Sequence, residues 1–138
     1  MVEYNRVVLG RETSSESIPM KTNFPGRSFQ LWEYKVSHGH MLVRSPKHSG
    51  TPKNIDIMFA GVEYADLPRH FAELEIEEPK QADLSFAQER LGKPVEARSV
   101  TVLKGGNRRH VVVAATVKIA ESDMDIFESP FADPPRTG

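Results

Sequence analysis

"VEARSVTVLKGGNRRHVVVAATVKIAES", Val95 to Ser122, decides the fold class. Two runs rich in β-branched residues flank Gly105-Gly106-Asn107. Those three residues tolerate the positive φ that a tight hairpin requires. Downstream, Val111, Val113, Ala115, Val117 and Ile119 hold one parity, the alternation of a single long amphipathic strand.

The same grammar recurs upstream. "SFQLWEYKVS" (Ser28 to Ser37) and "MLVRS" (Met41 to Ser45) are separated by a few residues around Gly39, which predicts a second hairpin. Trp32, Tyr34 and Val36 share one face and Phe29 and Leu31 the other, so this strand is buried on both faces or carries a bulge. Sheet burial is the ordinary fate of Trp32 and Tyr34. "NIDIMFAGVEY" (Asn54 to Tyr64) alternates through Ile55, Ile57 and Phe59 until Gly61 bends it.

Two helices are expected. "ADLPRHF" offers Asp66 as N-cap, Pro68 in the first turn and Leu67, Phe71 and Leu74 on one stripe, predicting a helix over 67–73. Leu74, Ile76 and Pro79 then suggest a short acidic edge strand. "QADLSFAQERLGKP" places Leu84, Ala87 and Leu91 at helical spacing, with Gly92 as the C′ residue and Pro94 as a stop.

Strands outnumber helices and are neighbours in sequence. The class is therefore mainly β, or β-rich α+β. Antiparallel hairpins form a partly open barrel or sandwich with one or two short helices. The chain divides into a poorly patterned arm with a possible edge strand (1–27), one globular domain (28–121) and an acidic, proline-bearing tail (122–138). Its 138 residues suffice to bury a core without staples.

Composition narrows the function classes. With no cysteine, there is no disulfide, thiolate metal site or cysteine nucleophile. No run approaches the ~18 apolar residues of a membrane span. The first residues lack the basic start and apolar run of a signal peptide. The expectation is a soluble cytoplasmic protein with no membrane partner. G-x-S-x-G, Walker, dinucleotide-binding and H-E-x-x-H patterns are all absent. "LWEYKVSHGHMLVRSP" and "NIDIMFAGVEYADLP" have the style of small bacterial proteins, and no family is recognised in them.

Three constellations remain. His38 and His40 flank Gly39, and His48 lies in the following loop. Neutral imidazoles are metal ligands, but Gly39 at a turn would rotate the first two apart. Asp66, His70 and Glu73, at helical spacing, form an elementary acid–base set that an ordinary helix surface would also show.

The third is charge segregation. Net charge is −1, yet 34–55 and 97–120 are basic blocks with no acid, while 63–96 holds nine acids against four bases. If the basic hairpins adjoin, Lys47, Lys53, Lys104, Arg108 and Arg109 make a positive patch for an acidic protein surface. The sequence thus reads as a small non-enzymatic, adaptor- or immunity-like protein-binding domain, with a protein partner or self-association and no cofactor. One alternative is a histidine-based metal-dependent enzyme or binder through His38, His40 and His48. The other is nucleic-acid binding through the basic hairpins, with Trp32 or Tyr34 stacking on a base. A pI near 6.5 is low for a dedicated nucleic-acid domain, commonly above about 9.

Overall fold

A computed structural model describes residues 4–11, 21–125 and 128–131. In chain order the elements are β1 (Tyr4–Arg11), β2 (Lys21–Phe24), β3 (Phe29–Lys35), β4 (His40–Ser45), β5 (Asn54–Ala60), β6 (Tyr64–Ala65), β7 (His70–Phe71), β8 (Leu74–Glu77), α1 (Gln81–Leu91), β9 (Val100–Gly105), β10 (Arg108–Val113) and β11 (Thr116–Ser122). Single 3₁₀ turns cover Val36–His38 and Ala97–Ser99. No described helix is long and apolar enough to cross a membrane.

The strands form two open antiparallel sheets. The larger runs β1-β11-β5-β4-β3-β7 and the smaller β2-β8-β9-β10-β6. Neither closes on itself, so the architecture is a sandwich, not a barrel.

Alternation explains how the sheets stack. Met41, Val43, Ile57, Phe59, Val117 and Ile119 point from the larger sheet into the core, where Leu74, Ile76, Leu103 and Val112 of the smaller sheet meet them. Burying one such side chain contributes about 1.5–3 kcal/mol. The opposite face of the smaller sheet carries Val100, Val111 and Val113, which α1 covers with Ala87, Leu84, Phe86 and Leu91. The helix starts where Asp83 accepts the Lys80 N–H at 2.7 Å. It ends at Gly92, φ +68°, whose N–H bonds to the Gln88 carbonyl.

The structure corrects four expectations. The single strand through Val111–Ile119 is two strands in different sheets, β10 and β11. Its parity survives the crossover at Ala114–Ala115, but its meaning changes: Val111 and Val113 face α1, whereas Val117 and Ile119 face the inter-sheet core. The helix over 67–73 does not form; β7 pairs with β3 instead, and Phe71 is buried opposite Phe29. The strand at Leu74–Glu77 is no edge, since β8 is flanked by β2 and β9. Tyr34 is not a core residue but half exposed. The irregularity in β3 is a bulge between Leu31 and Glu33, one of the two alternatives the sequence left open.

Candidate functional site

One end of the sandwich gathers segments far apart in sequence. Arg27, just after β2, donates from Nε to Ser45 Oγ at 2.8 Å and from Nη2 to the Ser45 and Lys53 carbonyls, both at 3.0 Å. It thereby clamps both ends of the β4–β5 loop, which carries Lys47 and Lys53. Partial burial lowers the pKa of this guanidinium, against the opposing pull of Glu121. Asn23, four residues earlier, lines a cavity of about 140 Å³ with Glu73, Glu75 and, from the β9–β10 hairpin, Lys104 and Gly106. The two basic tips therefore lie at the same end, joined by residues 23–27.

Their cations are in unequal states. Lys47 Nζ donates to the Asp123 carbonyl at 2.5 Å, and Lys53 Nζ lies 3.8 Å from the Asp123 carboxylate. Such exposed pairs are worth about 0–1 kcal/mol and open readily. Lys104 is half-buried, in register with Glu75. Arg108 is exposed, and its side chain makes no hydrogen bond or ion pair to the described residues.

Arg109 is structural. It reaches Glu77 Oε1 at 2.5 Å and Asp83 Oδ2 at 2.7 Å, tying β10 to β8 and to the first turn of α1. Hydrogen bonding by Arg109 holds the Glu77 carboxyl below its ordinary range. Burial pushes Asp83 upward, but its bonds to Arg109 and the Lys80 N–H outweigh this, so it too sits low. Arg109 itself is raised, chiefly by Asp83.

The histidines divide between the two ends of β4. His38 and His40 do stay together, with ring centroids 5.5 Å apart across Gly39. The turn at Gly39, φ +59°, does not rotate them out of reach. His40 also stacks on Phe131 at 4.4 Å. His48 lies beyond the far end of the strand, where Nδ1 accepts the Gly50 N–H at 3.3 Å. Among the described residues no three His, Cys, Asp or Glu side chains converge as metal ligands. Asp66, His70 and Glu73 lack the helix that would have stacked them; Asp66 donates its N–H to Val111 and His70 belongs to β7.

The sequence reading missed a polar network on the outer face of the larger sheet. Arg44 donates to both carboxylate oxygens of Asp56, at 2.6 and 3.1 Å. Ser122 donates to the same carboxylate and Asn54 to Ser122. Residues 123–125 and 128–131 lie on this face: Met124 Sδ and the Glu128 carbonyl meet Arg44, Ser129 bonds Glu33, and the Phe131 carbonyl accepts from Lys35. The available signal was parity, since Arg44 and Asp56 occupy outward positions of otherwise apolar strands.

At the opposite end, a half-open cavity of about 270 Å³ is floored by Val95, Val113 and Ala114. Two exposed ion pairs rim it, Lys93–Glu63 at 2.7 Å and Arg98–Glu96 at 2.6 Å.

Geometry thus defines, among the described residues, an antiparallel β-sandwich with one helix and a C-terminal segment packed on the larger sheet. No protein-family model, curated protein or solved structure matches the chain.

Proposed function

We propose that this chain is a non-enzymatic protein-binding domain that meets an acidic partner surface with the basic end of its sandwich. The supporting observation is that one short segment meets both tips, Arg27 holding the β4–β5 loop and Asn23 lining a cavity with the β9–β10 hairpin. Lys47, Lys53, Lys104 and Arg108 are the recognition cations, whereas Arg109 serves the fold. Rim charges act mainly on association rate, so the complex forms faster at low salt.

The test is a pull-down from a lysate of the source cell with the wild-type chain and a Lys47→Glu, Arg108→Glu variant, each washed at low and high salt. A stoichiometric protein held by the wild type and lost from the variant supports the proposal. Nucleic acid released by salt moves the assignment to nucleic-acid binding. Equal retention on both baits overturns the basic end as the recognition surface.

A further inference from the structure

The exposed large hydrophobic side chains among the described residues are Leu31, Tyr34 and Val36, at 38, 50 and 83 % exposure. All three belong to β3 or the residue that follows it. This strand is an edge for most of its length. β7 pairs only with Phe29 and Gln30, the Leu31 N–H bonds to the Arg69 carbonyl, and no described strand pairs with β3 beyond that point. At the other end the chain leaves the edge through the 3₁₀ turn beginning at Val36. The open window is therefore Trp32 to Lys35, and Tyr34 lies within it. Unpaired apolar edges are templates for another strand.

The charges on this window select the strand. Glu33 and Lys35 lie opposite Leu42 and His40 of β4, so both project from the outer face, with Tyr34 between them on the other side. Two copies of one strand pairing antiparallel about a twofold axis must place the axis on a residue, because directly opposed residues share a face. An axis on Glu33 opposes Glu33 to itself. An axis on Lys35 opposes Lys35 to itself. An axis on Tyr34 opposes Glu33 of each copy to Lys35 of the other, twice, with Tyr34 against Tyr34. Opposite charges directly across a ladder stabilise it and like charges destabilise it. Charge thus picks Tyr34, a centre that lies inside the window left by β7 and the turn.

We propose that β3 is a self-association edge: two copies join antiparallel about a twofold axis at Tyr34, making one continuous sheet. The interface is isologous, as closed dimers require. It is separate from the basic end, which lies at the Arg27 end of each copy and stays free.

The test is sedimentation of the purified full chain over a wide concentration range, with Glu33→Lys, Lys35→Glu and the double exchange. The wild type is expected to dimerise. Each single variant is expected to lose about tenfold or more in dimer affinity, since both cross-strand Glu33–Lys35 pairs become like-charged. The double exchange restores the dimer, and so does mixing the two single variants, whose charges complement each other. Because Glu33 and Lys35 also touch residues 129 and 131, this restoration separates pairing from any disturbance of those contacts. A second readout uses the absence of cysteine. Under oxidant, Tyr34→Cys should cross-link to its own copy, and Leu31→Cys should not. A chain monomeric at every concentration, a dimer indifferent to the single exchanges, or single losses that neither the double exchange nor mixing repairs overturns the proposal.

Discussion

Arg44 and Asp56 face each other in register across β4 and β5 as a two-pronged ion pair, at 1 and 0 % exposure, beneath Met124 and the Glu128 carbonyl. A buried pair is a weak source of net stability, but breaking it strands a charge. Asp56→Ala is therefore expected to cost about 3–5 kcal/mol in urea unfolding. Replacing both residues, Arg44→Met with Asp56→Leu, is expected to cost less than the single change. A double variant as unstable as Asp56→Ala would refute this account.

Arg109 links pH to stability. Glu77 and Asp83 titrate below their ordinary range in the folded chain. A depressed carboxyl pKa stabilises the fold fully above its unfolded value, about 4, and the contribution fades as pH falls through the folded value. Urea midpoints of wild type and Arg109→Met should differ most at neutral pH and converge below about pH 4. A constant gap down to low pH would show that the carboxylates do not respond to Arg109.

Two glycines with positive φ separate backbone strain from packing. A Cβ at Gly106, φ +61°, would meet nothing within 4 Å. A Cβ at Gly39, φ +59°, would lie 2.8 Å from the Val62 backbone nitrogen, which itself donates to the Gly39 carbonyl. Gly106→Ala is expected to cost about 1–2 kcal/mol, the left-handed penalty alone. Gly39→Ala should cost more, because that backbone bond must also yield. Thermal melts of the two variants decide the order.

Local chemistry was legible in the sequence. The Gly105-Gly106-Asn107 hairpin, the strands around Gly39, the alternation of β5 and the helix ending at Gly92 all depend on neighbours a few residues apart. Helical spacing misled over 67–73, because Leu67, Phe71 and Leu74 satisfy a helix stripe while Phe71 and Leu74 are equally able to face a core from two short strands. Which description holds depends on Phe29, some forty positions away, lying opposite Phe71.

The crossing at Ala114–Ala115 marks the same boundary more sharply. Parity records on which side of the backbone a residue falls, not which sheet that backbone has joined. An alternation unbroken from Val111 to Ile119 is compatible with one strand or with two in different layers. Likewise the sequence named Lys47, Lys53, Lys104, Arg108 and Arg109 as equals. Tertiary structure divided them, setting the Arg109 side chain between Glu77 and Asp83, Lys47 and Lys53 against Asp123, and leaving Arg108 exposed. Sequence alone determined the class, an antiparallel β-rich chain with charge in blocks, because hairpin turns and side-chain alternation act over a few residues. Only the fold decided which face each strand buries, which cations are held within the structure and which edge no described strand pairs, because those outcomes depend on contacts between segments the sequence holds far apart.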